Sequence, residues 1–419
     1  MASSLPHYET TILDNGLQVV AIPLDNGSKV ISTDIFYKVG SRNEVMGKSG
    51  IAHMLEHMNF KSTKKLKAGE FDEEVKSIGG LNNASTGFDF THYYIKSSNE
   101  NLPKSLSLFA ELMEHLNLKD EEFQPERNVV AEERRWRTDN NPMGYLYFRL
   151  FNSAYVYHPY HWTPIGFMND IQTWSLEDIQ KFHQTYYQPK NAILVVTGDI
   201  KPEQVFTEAK KQFGTIANTL DIPSVKTIEP EQDGARRVIV NKESEVEMLA
   251  ISFPIPNFQH PDQPKLSAMS EMLSSGKSSK LNRILVDEKR LVNQIYAYNM
   301  ENIDPGVFLF LAVCNNGVKA ETVEEEIWKV IRSLQEKVVE QAELDKVKIN
   351  TKADFIYSLE SSTSVAELFG SYLARGDIAP LEKYEKSIIA LKPSDIQQAA
   401  QQYLDPNKST TLILRKGKK

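Results

Sequence analysis

The segment "GIAHMLEHMNF", residues 50–60, places His53, Glu56 and His57 within five positions of one another. Beyond Gly50 it contains neither glycine nor proline, so it is compatible with an α-helix. At about 100° per residue, His53 and His57 lie about one turn apart on one side of the helix, so both imidazoles can face one ion. Glu56 lies beside His57, where it can act as a base without being a ligand. This order, HxxEH, is HExxH reversed and predicts a zinc site; the alternative is two histidines that only share a helix.

A third ligand is needed, because catalytic zinc takes three protein ligands and keeps one open position. The segment "PERNVVAEERRWR", residues 125–137, carries Glu126 and Glu133 two helical turns apart. With two valines between them, these carboxylates are predicted to point inward from a helix that begins at the proline. We predict Glu133 as the third ligand and Glu126 as a carboxylate that orients a histidine. Three arginines are predicted to lie elsewhere on the helix, in solvent: Arg134, Arg135 and Arg137.

Length and composition restrict the class of protein. A chain of 419 residues predicts two to three domains. The net charge of −8 argues against a nucleic-acid partner, which would require clustered Lys and Arg. No apolar run approaches the roughly 18 residues of a membrane span, and residues 1–20 lack the pattern of a secretory signal, so we expect a cytoplasmic protein, with the periplasm left open.

The single cysteine, Cys314, excludes an intramolecular disulfide framework. Five further histidines have no helical partner and are predicted to be packed or on the surface: His92, His115, His158, His161 and His183.

The chain contains a repeated segment. "EDIQKFHQTYYQPKNAILVVTGD" (177–199) resembles "SDIQQAAQQYLDPNKSTTLILRKG" (394–417), with Asp178 aligned to Asp395 and Tyr186 to Tyr403 at an offset of 217 residues. Both copies have the pattern of an amphipathic helix, a break at proline and a β-strand. The offset is about half the chain, which indicates a tandem duplication.

The two halves also begin alike, with strand pairs, the first of them interrupted at Asn15-Gly16 and Asn26-Gly27. A polar, proline-containing segment separates them. We predict an N-terminal metal-binding catalytic domain over residues 1–217, a linker over 218–235 and a homologous C-terminal domain over 236–419. The predicted fold class is α+β, with each domain a mostly antiparallel sheet packed with helices on one face.

Several segments resemble the pitrilysin (M16) family of zinc peptidases, the inverzincins, which includes insulysin and the mitochondrial processing peptidase β-subunit. The opening "ETTILDNGLQVV" (9–20), the block "FYKVGSRNEVMGKSGIAHMLEHMNFKST" (36–63) and "ERNVVAEE" (126–133) carry the likeness. Glu133 follows His57 by 76 residues, as the distal glutamate does in that family. The likeness runs over nearly the whole chain and is strongest to bacterial members of about this length.

The resemblance implies one Zn²⁺ per chain, held by His53, His57 and Glu133, with Glu56 as general base and Glu126 as the supporting acid. It also makes "GGLNNASTGFDFTHYY" (79–94) similar to the family's substrate-binding strand. There Asn83 and Ala84 would bind an extended peptide by β-augmentation, the alternative being an ordinary hairpin strand. The implied activity is that of a zinc endopeptidase acting on short or unfolded peptides.

The C-terminal half departs from the family pattern. Many active members carry an Arg and a Tyr seven residues apart that hold the substrate carbonyl, whereas "VDEKRLVN" (286–293) has Val286 and Asn293 at these positions. Arg290 and two tyrosines, Tyr296 and Tyr298, are nearby but out of register. We therefore expect a homodimer or a heterodimer with an Arg/Tyr-bearing M16 subunit, closing a chamber around the substrate. The alternative is a catalytically inactive scaffold or peptide-binding subunit of the same fold.

Overall fold

The computed structural model describes residues 4–25 and 27–417. Residues 1–3 and 418–419, at the ends of the two predicted domains, and Asn26 of the second Asn-Gly dipeptide lie outside the described residues. The first Asn-Gly dipeptide forms the predicted turn: Gly16 has φ +89° and Leu13 N–H donates to Leu17 O.

In the first half of the chain the strands are β1 Glu9–Ile12, β2 Gln18–Pro23, β3 Val30–Tyr37, β4 Leu81–Thr86, β5 Thr91–Ser98 and β6 Ala192–Gly198. The helices there are α1 Ile51–Asn59, α2 Glu70–Ser77, α3 Leu102–His115, α4 Asp120–Arg134, α5 Pro142–Ala154, α6 Met168–Thr173, α7 Leu176–Tyr186 and α8 Pro202–Phe213.

In the second half the strands are β7 Arg236–Glu243, β8 Met248–Pro254, β9 Val292–Met300, β10 Val307–Cys314 and β11 Thr410–Gly417. The helices are α9 Gln263–Ser274, α10 Ala320–Glu336, α11 Gln341–Ser358, α12 Ser362–Arg375, α13 Ala379–Ala390 and α14 Pro393–Tyr403.

The strands form two sheets of matching topology. The first has the order β1-β2-β6-β3-β5-β4 and the second β7-β11-β8-β10-β9. Within the described strands, β2 with β6 and β7 with β11 are the parallel pairs, and the other neighbours are antiparallel. The α+β class with two mostly antiparallel sheets is confirmed.

The register of the strands confirms the duplication. In the first sheet Phe36 pairs with Ile193 and His92, and in the second sheet Ser252 pairs with Thr410 and Leu309. The aligned aspartates also have the same task, because the carboxylate of Asp178 accepts from Ser175 N–H and that of Asp395 from Lys392 N–H at the starts of α7 and α14. Equivalent strands and equivalent helix caps therefore follow each other in the same order in both halves.

The chain divides into two compact units that draw on both halves. The first unit comprises residues 1–132, 162–226 and 356–382; the second comprises 133–161, 227–355 and 383–419. The described residues between Phe213 and Arg236 form no helix or strand. The predicted domain boundaries, 1–217, 218–235 and 236–419, follow the two halves along the chain, and they stay a prediction.

Helices cover both faces of each sheet, which corrects the expectation of helices on one face. In the first unit α12 packs on β3 and β6, and in the second unit α5 packs on β7, β8 and β11. The physical reason is that β6 is buried along its whole length, so both of its faces need an apolar cover. The approach of α12 is close: a Cβ on Gly370 would lie 2.0 Å from the ring of Phe36. Each half of the chain thus supplies one helix to the unit built mainly from the other half.

His183 is a half-buried histidine of the first unit, and its Nε2 atom is buried. It lies on α7, and its ring stacks on that of Tyr187 at a centroid distance of 5.4 Å. Burial lowers the pKa of His183 to about 4, because the apolar surroundings disfavour the imidazolium. The unfolded chain therefore binds a proton here at a higher pH than the folded chain does.

We predict that this difference makes the folded protein sensitive to acid. The contribution of His183 to stability is complete above the unfolded pKa near 6.5 and is lost as the pH falls toward 4. Between pH 7 and pH 5 the wild type should lose about 2 kcal/mol more unfolding free energy than His183→Leu does. Denaturant unfolding of both proteins, with chelator present so that metal loss does not contribute, measures the difference. Equal losses would contradict a neutral His183.

Candidate metal centre

Helix α1 exposes only one stripe of side chains. Six of its nine residues, from Ile51 to Asn59, are buried, and the three that are not are His53, Glu56 and His57. The buried set includes Met54, Leu55 and Met58, which anchor the opposite side of the helix in the core of the first unit. The sequence pattern therefore produces a helix whose two histidines and one glutamate share its only accessible face.

The start of α1 is fixed by a glycine and a buried carboxylate. Gly50 has φ +83°, and a Cβ there would lie 2.7 Å from Ile165 O, so a larger residue would be strained. The carboxylate of Glu44 accepts hydrogen bonds from Gly50 N–H, Ala52 N–H and Trp162 Nε1–H. These contacts satisfy backbone donors at the start of the helix and set the position from which His53 projects.

Helix α4 differs from the expectation at two points. It begins at Asp120, so Pro125 lies inside it rather than at its start. Pro125 is the sixth residue of the helix, so α4 lacks the backbone hydrogen bond that an N–H at this position would donate to Glu121 O. Val130 is fully buried, but Val129 is 49% exposed, so only one of the two valines points inward. Glu126 is buried and Glu133 is half-buried, which leaves both carboxylates on the inner side of the helix.

The structure brings His53, His57 and Glu133 together. One possible ligand atom from each residue lies within 4.8 Å of the others, and among the described residues no other group of three or more His, Cys, Asp or Glu does so. The two imidazole centroids are 4.7 Å apart. Glu133 lies in the last turn of α4, the helix that also carries Glu126.

Glu126 holds one of the two imidazoles. His57 Nδ1 lies 2.8 Å from Glu126 Oε1, and Lys61 Nζ lies 2.5 Å from Glu126 Oε2. Burial alone would raise the pKa of Glu126, but the hydrogen bonds from His57 and Lys61 outweigh it and keep the pKa below the ordinary value. A charged Glu126 keeps the proton of His57 on Nδ1, so Nε2 is available as a ligand atom.

Arg137 lies in solvent as predicted, with its side chain 64% exposed, and it also contacts the predicted ligand. Its Nε lies 3.0 Å from Glu133 Oε1, one helical turn further along. Arg134 is buried, which corrects its predicted place in solvent: it pairs with Asp139 and lies over the ring of Phe148. A carboxylate has two oxygens, so Glu133 can accept from Arg137 through one of them and offer the other to a metal.

The edge strand β4 runs beside α1. Thr86, its last residue, donates through Oγ1 to Glu56 Oε2 at 2.5 Å. Ala84 N–H donates to Asn83 Oδ1 at 2.9 Å and not to the neighbouring strand β5. Strand β4 therefore pairs with β5 alone, and on its open side the N–H of Ala84 is covered by the side chain of Asn83.

Three contacts of the centre were missed from the sequence: those of Lys61, Thr86 and Arg137. Two of them had a usable signal, because Lys61 follows His57 by four residues and Arg137 follows Glu133 by four, the spacing of neighbours on a helix. Thr86 had no comparable signal, since its contact joins a strand to a helix 30 residues away.

The residues singled out in the C-terminal half belong to the second unit. Val286 packs partly buried against its core in a π-helical segment, Asn282–Glu288. Asn293 is exposed on the edge strand β9, as are Tyr296 at 49% and Tyr298 at 58%. Neither a guanidinium nor a phenol stands at the two positions where the family pattern has them.

The donor set suits a catalytic zinc ion. Two imidazoles and one carboxylate are a known set of protein ligands for zinc that keeps an open position, and a further carboxylate on the second ring nitrogen of one histidine is the usual support. His53, His57 and Glu133 would be the ligands, and Glu126 the support. Fold and site together define a two-unit α+β protein with a zinc centre of the HxxEH type.

Comparisons with known proteins agree with this class. Residues 19–158 match the family model described as Insulinase (Peptidase family M16), and residues 173–351 match that described as Peptidase M16 inactive domain. The chain is 56% identical over 416 residues to zinc protease PqqE of Helicobacter pylori, covering 99% of this chain and 94% of that protein. A crystal structure of a protease from Helicobacter pylori has a TM-score of 0.97 at 56% identity, covering 98% of this chain and 100% of that chain.

A more distant relative is the probable mitochondrial-processing peptidase subunit beta of Arabidopsis thaliana, 25% identical over 419 residues, covering 96% of this chain and 77% of that protein. The chain belongs to peptidase family M16, as its motifs indicated, and its relatives include named zinc proteases. Among the described residues, no helix combines the length and apolar character that crossing a bilayer requires.

We predict that Glu133→Ala weakens zinc binding by about a hundredfold or more, because it removes one of three ligands. Glu126→Ala should weaken it by about 10- to 100-fold, since it removes only the support of His57. Competition with a chromogenic chelator measures both dissociation constants. Glu132→Ala, the same change one residue away, is the matched control. A Glu133→Ala protein that binds zinc like the control would remove Glu133 from the ligand set.

Proposed function

We propose that this chain is a zinc-dependent endopeptidase that hydrolyses short or unfolded peptides inside a chamber formed with a partner chain. The observation that carries the proposal is the convergence of His53, His57 and Glu133 within 4.8 Å, with Glu56 on the same face of α1. Family membership and the zinc proteases among the relatives support a metallopeptidase. We assign one zinc ion to each chain, because the described residues offer one such set of ligands.

Each residue of the centre has a separate task. A bound zinc ion would polarise the scissile carbonyl and lower the pKa of a water molecule toward about 7. Glu56 takes the proton of the attacking water and delivers it to the leaving nitrogen. Glu126 keeps the proton of His57 on Nδ1, and Lys61 balances the charge of Glu126. The stripe of α1 that carries His53, Glu56 and His57 is half-buried and therefore partly accessible from solvent.

The substrate is proposed to bind along β4. An extended peptide can add a strand to an open sheet edge, and its backbone then makes the hydrogen bonds. The N–H of Ala84 is one such donor, at present covered by the Asn83 amide. A substrate carbonyl would displace that amide, which could then bind the next polar group of the peptide. Binding of this kind recognises backbone rather than sequence, which fits a peptidase of broad specificity.

We predict that Glu56→Gln binds zinc like the wild type but hydrolyses peptides about a thousandfold more slowly or worse, because an amide cannot take up the proton. Zinc content is measured by elemental analysis, and cleavage of a mixed peptide library by mass spectrometry. Wild-type protein with chelator, and the same sample after zinc is restored, control for metal dependence. Near-full turnover by Glu56→Gln would show that another group is the base.

A catalytically inactive scaffold or peptide-binding subunit of the same fold is the alternative. Such a protein does not need a complete metal motif, whereas His53, Glu56, His57 and Glu133 are all present here. The match described as an inactive domain covers residues 173–351, a range that contains none of these four residues. The complete motif therefore favours the enzyme.

The partner is proposed from what the second unit lacks. Val286 and Asn293 stand where an Arg and a Tyr would hold the substrate carbonyl. We propose that a second M16 chain supplies this pair, or that two copies of this chain form the chamber without it. In either case peptides enter a closed space, which restricts the substrates to short or unfolded chains.

We predict that the purified chain alone turns peptides over slowly at every protein concentration, because the carbonyl lacks its second support. The measurement is the specific activity of the purified chain from nanomolar to micromolar concentration, with the oligomeric state followed by light scattering. A rise to a full plateau as dimers form would indicate a homodimer. Full activity of the monomer would rule the partner out.

A further inference from the structure

The carboxylate of Glu56 must be held in one orientation to act as a base. Its side chain has three rotatable bonds and lies on the half-exposed face of α1. A general base acts only when one oxygen lies within hydrogen-bonding reach of the proton it takes. Helix geometry fixes the Cβ of Glu56 but not its carboxylate. Something outside the helix therefore has to hold the oxygens in place.

Thr86 makes such a contact. Its Oγ1 donates to Glu56 Oε2, and a hydroxyl that donates to an ionised carboxylate makes one of the stronger hydrogen bonds. Because the hydroxyl engages Oε2, it restricts the rotation of the Glu56 carboxylate. The side chain of Thr86 is branched at Cβ, which restricts its rotation about χ1 and makes the hydroxyl a stiff donor.

The backbone of Thr86 is itself held on both sides. It ends β4 opposite Thr91 of β5, and the next residue, Gly87, closes the hairpin by donating its N–H to Phe90 O. Gly87 O accepts from Ser41 N–H, and a Cβ on Gly40 would lie 2.5 Å from Gly87 O, so this turn is tightly packed. The hydroxyl of Thr86 thus projects toward α1 from a rigid part of the sheet.

We propose that Thr86 is a positioning residue that fixes the Glu56 carboxylate for proton transfer. This inference rests on the proposed peptidase activity and deepens it. Because Thr86 lies on β4, the strand proposed to bind the substrate also holds the base that takes the proton of the attacking water. A peptide seated on β4 is therefore in fixed register with Glu56, without any part of α1 having to move.

The test compares Thr86→Val, which keeps the shape and removes the hydroxyl, with Thr86→Ser, which keeps the hydroxyl. We expect Thr86→Val to lower kcat by about ten- to a hundredfold with KM and zinc content unchanged, and Thr86→Ser to stay within about threefold of the wild type. Thr91→Val is the matched control, because it removes a hydroxyl from the cross-strand neighbour, which donates to Val39 O instead. It should leave kcat unchanged.

Two results would overturn the proposal. One is an unchanged kcat in Thr86→Val; the other is a rise in KM alone, which would assign Thr86 to substrate binding. Thr86→Val should also cause no further loss of turnover in a Glu56→Gln background, because the group it positions is already inactive.

A second measurement does not depend on activity. The denaturant midpoints of wild type, Thr86→Val, Glu56→Gln and the double variant form a cycle, and a non-additive result shows that the two side chains interact. If the wild type cleaves no peptide but the cycle is non-additive, the proposed function fails while the contact stands. An additive cycle contradicts the contact itself.

Discussion

The hydrogen bond between His57 and Glu126 is the constraint on which the rest of the centre depends. It joins α1 to α4, two helices far apart in sequence, and it sets which nitrogen of His57 is free to bind a metal. Once this bond is made, the spacing along α1 and α4 brings His53 and Glu133 close to each other and to His57. Lys61 allows the bond to exist in a partly buried place, because it compensates the charge of Glu126. A metal centre of this kind is thus built from two helix faces and one bond between them.

The first sheet positions the groups of the centre that do not lie on α1 or α4. The β4 strand lies at the edge of the first sheet beside α1, so one element offers both an open backbone and the hydroxyl of Thr86. Behind Glu56, the hydroxyl groups of Tyr93 and Tyr187 bond to each other, and burial raises the pKa of both well above the ordinary value. Because both phenols are neutral, Tyr93 and Tyr187 place no negative charge next to Glu56. The core of the first unit therefore fixes β4, Glu56 and the two histidines of α1 relative to one another.

Sequence reasoning predicted what depends on local spacing and missed what depends on contacts between distant elements. The HxxEH helix, the Glu126 and Glu133 pair and the duplication all follow from periodicity or repetition along the chain, and the structure has each of them. The start of α4 was wrong because the helix begins five residues before Pro125, at Asp120, and continues through the proline. The second helical cover of each sheet was missed because α5 and α12 pack on sheets formed mainly by the other half of the chain. Thr86 was missed because no local pattern links a strand end to a helix face.

The duplication also explains why only one half carries the chemistry. The offset of 216 residues that superposes Phe36 of β3 on Ser252 of β8 places Met269, Met272 and Leu273 of α9 at the positions of His53, Glu56 and His57. All three are buried, and the half-buried residues of α9 include Ser267, Ser270, Glu271 and Ser274. The corresponding helix of the second unit therefore has a polar face that carries no histidine. This is consistent with the separate family matches of the two halves, of which the second is described as inactive.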